Sequence, residues 1–76
     1  APTHILFVPK AHVESLNELN DTTIVKDIFE AIKKVAKAKG INDYRVVLNT
    51  GKEAGQEVMH IHFHMLSGRK LNWPPG

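Results

Sequence analysis

The chain has 76 residues, 42% of them hydrophobic, with ten Lys+Arg against eight Asp+Glu and no cysteine. That length permits one domain with one modest core, and chains of this size draw extra stability from disulfides, a metal, a partner subunit or further chain; here disulfides are excluded. A formal charge of +2 is too small and too scattered for binding nucleic acid through its phosphates, and the absence of cysteine gives no reason to look outside the cell.

Taken in order, Ala1-Pro2-Thr3 leads directly into His4-Ile5-Leu6-Phe7-Val8, a β-rich run that Pro9 closes by removing a backbone donor. A strand that starts without a turn or cap before it predicts that further residues precede it, so the expectation is one domain over residues 1–76 that is N-terminally incomplete. Pro9 to Leu19 reads as a loop with one helical turn around Ser15–Leu19, and His12 within it carries no signal of its own. A long helix is predicted from about Asp21 to Lys39. An Asn20 or Asp21 cap precedes apolar residues at Ile24, Val25, Ile28, Phe29, Ile32, Val35 and Ala36, the spacing of one helical face, and Gly40 supplies the stop. Lys33, Lys34, Lys37 and Lys39 cluster near its C-terminus, where the helix dipole favours cations, and read as a solvated helix end. No apolar run is long enough to span a bilayer and no signal-peptide pattern is present, so the reading is a cytoplasmic protein with neither nucleic acid nor membrane as partner.

Tyr44 to Asn49 is a second strand by β-branched and aromatic content. The loop from Asn49 to Glu57 contains Gly51 and Gly55, which let a backbone approach a ligand and turn N–H groups toward an anion. It runs into Met59-His60-Ile61-His62-Phe63-His64-Met65. In an extended strand, rising ~3.3 Å per residue, His60, His62 and His64 share one face about 6.6 Å apart, and Met59, Ile61, Phe63 and Met65 share the other. A helix cannot sort them so. The apolar face is the natural cover for the helix stripe, and the histidine face carries the chemistry. Ser67–Lys70 turns the chain, and Leu71-Asn72-Trp73-Pro74-Pro75-Gly76 is an irregular tail because its prolines lack donors.

Three imidazoles on one strand face fit two kinds of chemistry. Histidines at i and i+2 can converge on a metal ion if His4, His12 or Glu57 supplies a third ligand. Alternatively, one neutral imidazole attacks a phosphorus centre while its neighbour protonates the leaving group, which requires a phosphate cradle beside them. Gly55-Gln56 stands immediately before the strand and favours the phosphoryl reading.

The run Gly55-Gln56-Glu57-Val58-Met59-His60-Ile61-His62-Phe63-His64-Met65-Leu66 resembles the histidine-triad (HIT) signature. Pro2-Thr3-His4, Phe7-Val8-Pro9-Lys10-Ala11-His12, Asn49-Thr50-Gly51 and Trp73-Pro74-Pro75-Gly76 resemble the Hint branch of that family. The resemblance covers nearly the whole chain and corresponds to the later part of a family domain. It implies an α+β fold, an antiparallel sheet with one long helix packed on one face, paired into a homodimer. It also implies a purine nucleoside phosphoramidate hydrolase that needs no cofactor and releases an AMP-type product; the other readings are a nucleotide-binding scaffold with little catalysis and the strand-borne metal site. By the match, His62 is the nucleophile, His64 contacts the phosphate and assists proton transfer, His60 orients its neighbour, and His4 joins the network. Asn49, Gly55, Gln56, Glu57 and Phe63 are expected at the substrate, and Trp73 in a tail that reaches the partner's active site. Glu57 stands where some relatives carry Ser or Thr, which leaves its backbone N–H as the group to serve a phosphate.

Overall fold

The β-rich opening run forms β1 (Thr3–Phe7), the capped amphipathic segment forms α1 (Thr23–Lys39), and Arg45–Leu48 and Phe63–Ser67 form β2 and β3. This computed structural model describes residues 1–76, and its make-up is the expected α+β one. The strands build a single antiparallel sheet in the order β1-β3-β2. On one side of β3, Thr3 lies opposite Ser67 and Phe7 opposite Phe63; on the other, Arg45 lies opposite Leu66 and Leu48 opposite Phe63.

Only one face of this sheet is covered, and the alternation along β3 follows from that. Phe63, Met65 and Ser67 are buried, whereas His64 and Leu66 are half-buried on the other side. The covering element is α1. Its Ile28, Ile32 and Ala36, four residues apart, pack with Phe7, Ile61, Phe63 and Met65 into one core cluster. Phe29 lies off this line and stays 49% exposed, its ring meeting Phe63 edge-on at 6.1 Å between centroids, so it marks the margin of the stripe.

The Gly40 end of α1 is built as the sequence predicts, whereas the N-terminal end is displaced: Thr22, not Asn20 or Asp21, is the N-cap, and its side chain makes no cap bond. Asp21 Oδ1 accepts from the Thr23 N–H at 3.0 Å and from the Thr23 hydroxyl at 2.5 Å, satisfying a donor that the first turn leaves orphaned. Asp21 thus supports the first turn from one residue before the N-cap, and the helix begins at Thr23. Gly40 closes it with a left-handed backbone (φ 67), its N–H reaching the Ala36 and Lys37 carbonyls, and Ile41 donates back to Ala36 at 2.8 Å. The helical turn expected near Ser15 is a 3-10 turn over Leu16–Glu18. Ser15 caps it, accepting from Asn17 N–H and donating to the Glu18 carboxylate. No helix is long and apolar enough to cross a membrane.

The histidine stretch differs from its predicted extent. A strand is expected from Met59, but pairing begins at Phe63, because β1 and β2 both run out opposite that residue. Beyond Phe7 the chain meets Pro9, which has no N–H to continue a ladder. The inside-outside alternation nevertheless persists upstream: Ile61 is buried and His60 and His62 are half-buried. It fails at Met59, which is 39% exposed rather than in the core, because the chain bends over Val58–His60.

Candidate active site

His64 projects from the centre of the sheet, and β1 brings His4 to it. His4 pairs with Leu66 and His64 with Leu6, so the two are diagonal cross-strand neighbours on the uncovered face, within reach of each other's side chains. His4 Nε2 and His64 Nδ1 lie 2.8 Å apart. One of these nitrogens donates and the other accepts, so the contact holds a single proton and is incompatible with both rings being charged. The His62 ring stands 5.0 Å from that of His64 between centroids, giving a row of three imidazoles, His4, His64 and His62. Burial, and then the neighbouring His62 and His4, hold His64 below the ordinary histidine pKa, so it is neutral near pH 7. Its Nε2 is buried without a hydrogen-bond partner.

The two upstream histidines are fixed by carbonyl oxygens. His62 Nδ1 lies 2.8 Å from the His60 carbonyl, and a carbonyl can only accept, so Nδ1 carries the proton and the neutral ring keeps its lone pair on Nε2. His60 Nε2 likewise donates to the Pro9 carbonyl at 2.9 Å. That bond ties His60 to the loop after β1 and turns its ring away from the other three. His12 packs edge-on against His60, with centroids 5.2 Å apart. The five histidines therefore form two groups. His4 lies with one and His12 with the other, and no set of three or more His, Cys, Asp or Glu side chains converges as a metal site requires.

The glycine loop departs from its expected role. The N–H groups of Ala54 and Gln56 both donate to the Gly51 carbonyl, and that of Gly55 donates to Lys52. The Gly51 N–H goes to the Gln56 side chain at 2.9 Å. These four donors are occupied within the loop, so they do not form an anion cradle. Gln56 is corrected more strongly. It is 2% exposed, and besides accepting from Gly51 its carboxamide donates to the carbonyls of Glu14 (2.6 Å) and Val58 (3.1 Å), which leaves no donor for a ligand. Glu57 is exposed, and its N–H is not among the donors used by the loop. Gly55 has a positive φ of 99, and a Cβ there would stand 3.7 Å from the Asn49 carboxamide nitrogen, so those two residues line the same stretch of surface.

Phe63 is also corrected: at 3% exposure it belongs to the core beneath the histidines and presents nothing to a substrate. Trp73 is 79% exposed. The Arg45 guanidinium lies over its ring at 5.5 Å and donates to the Asn72 carbonyl at 3.0 Å. Arg45, opposite Leu66 on β2, shares the sheet face of His4 and His64, and the sequence reading missed it. The available signal was its position in an alternating strand with Val46 and Leu48 on the other face.

A family model of the HIT domain matches residues 1–71. An uncharacterised HIT-like protein of Synechococcus elongatus is 40% identical over the whole chain, which spans 69% of that protein. Among solved structures, a HIT family hydrolase of Legionella pneumophila superposes with a TM-score of 0.94 at 45% identity, covering all of this chain and 71% of that one. A histidine triad protein of Clostridium difficile matches with a TM-score of 0.91 at 47% identity, over 95% of this chain and 66% of its own length. The chain belongs to the HIT-domain family.

Proposed function

We propose that the chain carries the active-site histidines of a purine nucleoside phosphoramidate hydrolase that cleaves the P–N bond through a nucleotidyl-histidine intermediate. The observation that carries this reading is the bond from His62 Nδ1–H to the His60 carbonyl, which leaves a nucleophilic lone pair on Nε2. In the first step that lone pair attacks the α-phosphorus and forms an N–P bond. The P–N bond of the substrate breaks, and the leaving nitrogen takes a proton from the His4–His64 pair when that pair carries one extra proton taken up from solvent, which leaves both rings neutral. In the second step water attacks phosphorus, the histidine–phosphorus bond breaks with its electrons returning to Nε2, and the proton of water restores the His4–His64 pair. The products are the free amine and a nucleoside monophosphate such as AMP.

Asn49, Gly55 and the N–H of Glu57 are the groups we assign to the phosphate and ribose side, with the Glu57 carboxylate turned to solvent. The naming of the Legionella protein as a hydrolase is consistent with this reaction class. We further propose a cytoplasmic homodimer. Val46 and Phe29, 38% and 49% exposed on the helix-covered side, give β2 and α1 apolar surface for a second copy, and the tail held by Arg45 would carry Trp73 toward the partner's leaving group. Adenosine 5′-phosphoramidate is the test substrate. His62→Ala should lower turnover ~10⁴-fold or more, and acid-quenched wild-type protein should carry a nucleotidyl group on His62. Undiminished turnover in that variant overturns the mechanism. AMP binding without turnover of any phosphoramidate would replace it with the scaffold reading.

A further inference from the structure

The most completely buried polar side chain in the molecule is one that the chemistry above does not use. Gln56 is 2% exposed, and its carboxamide joins three separate stretches of backbone. The oxygen accepts from Gly51, and the nitrogen donates to Glu14 and to Val58. The orientation of the amide follows from its partners, because a flipped group would set its oxygen against two carbonyls and its NH₂ against an N–H. The bonds to Gly51 and Val58 close the glycine loop upon itself. The bond to Glu14 fastens that loop to the segment after β1.

Two further bonds continue the seam. Ile61 N–H donates to the Val13 carbonyl at 2.7 Å, and His60 Nε2 to the Pro9 carbonyl at 2.9 Å. Segments 9–14 and 56–61 are thus stitched at three points, Pro9 to His60, Val13 to Ile61 and Glu14 to Gln56. This seam replaces the strand pairing that stops at Phe63. Its product is the position of the His60 carbonyl, which lies between two stitched residues and is the acceptor that sets the proton of His62.

We infer that Gln56 is a positioning residue rather than a phosphate ligand: by closing the loop onto segment 9–14 it holds the His60 carbonyl in line with His62 Nδ1 and thereby selects the His62 tautomer whose Nε2 is free to attack. The catalytic meaning of this inference rests on the proposed role of His62, but the tautomer itself does not. Both can be measured separately.

The experiment compares wild type with two variants. Gln56→Glu keeps the acceptor for Gly51 and loses both donors, while Gln56→Met keeps the length and loses all three bonds. Nitrogen-15 spectroscopy of the ligand-free protein should show His62 as one Nδ1–H tautomer in wild type and as a mixture in both variants. With adenosine 5′-phosphoramidate, kcat should fall by about 10²-fold, the scale of a misplaced catalytic group, with KM within about twofold and the acid limb of the pH profile displaced. A variant that keeps the single tautomer and kcat while KM rises overturns the inference, since that is the pattern of a substrate ligand. If neither variant folds, wild type decides. The Gly51 amide should exchange slowly with solvent, and the Gln56 carboxamide resonances should not move when AMP is added; a fast-exchanging Gly51 together with a carboxamide that titrates with AMP overturns it equally. A wild-type protein inert toward phosphoramidates would sink the proposed reaction and still leave the tautomer measurement to judge Gln56.

Discussion

The two halves of the histidine stretch are held by different means. From Phe63 to Ser67 the backbone is paired on both sides, and its apolar side chains lie under α1. From Gln56 to His62 no strand is paired, and the chain is held by side chains and a single backbone bond to segment 9–14. His64 rides on the first kind of support and His62 on the second. A doubly paired central strand yields only with the whole domain, whereas a seam of a few hydrogen bonds, each contributing about 1 kcal/mol net, can adjust locally. The proposed nucleophile thus sits on the more locally adjustable support, and His64 on the more rigid one.

Substitutions on each side sharpen this contrast. Met65→Ala, at a position with no exposed surface, should destabilise the domain by about 2–5 kcal/mol, read as a lowered denaturation midpoint with the transition still cooperative. His4→Ala strikes the fixed half at its proton. It should reduce phosphoramidate turnover by ~10²-fold or more with little change in that midpoint, because His4 is exposed; a large loss of stability with unchanged turnover of the folded fraction would contradict the role assigned to it.

Acidification tests the same half. His64 is held below its ordinary value, so between that lowered pKa and the unfolded value of about 6.5 the unfolded chain binds more protons than the folded one. Its stabilising contribution is fully present above pH ~6.5 and is lost as pH falls through this window. Denaturation midpoints measured from about pH 7.5 downward should therefore decline on entering it, and less steeply in His64→Gln. The smallest effect is expected at the tail. Arg45→Ala removes an exposed cation–π contact and one hydrogen bond to Asn72, a change of about 1 kcal/mol or less in stability. Trp73 fluorescence should still respond, through greater mobility of the ring.

Much of this organisation is legible in the residues. Ile28, Ile32 and Ala36 mark the buried helix face, Gly40 its end, and the alternation of His62, Phe63, His64 and Met65 sorts the uncovered face from the core correctly. Alternation reports only which way each side chain points, however, and is silent on whether a partner strand lies alongside. The ladder therefore begins at Phe63 although the pattern begins at Met59. Gln56 was misread for a related reason. A carboxamide has the same donors and acceptor whether its partners are phosphate oxygens or backbone carbonyls, and the two carbonyls it meets belong to Glu14, far off in sequence, and Val58, close by. Phe63 was misread because the histidine motif names neighbours along the chain, while a strand sends neighbours to opposite faces.

The sheet order has a consequence for how the protein comes to be active. β1 is the first element of the chain and β3 the last, so the contact between His4 and His64 joins residues 60 apart in sequence. The entropy of closing a loop grows only slowly with its length, by about 0.6 kcal/mol per doubling, but it must be met before the contacts it enables are made. The helix and its caps are local and can form early. The imidazole row cannot exist until nearly all of the intervening chain has condensed, so the recovery of turnover during refolding should trail the return of helical signal, and catalysis becomes a reporter of the last contacts made.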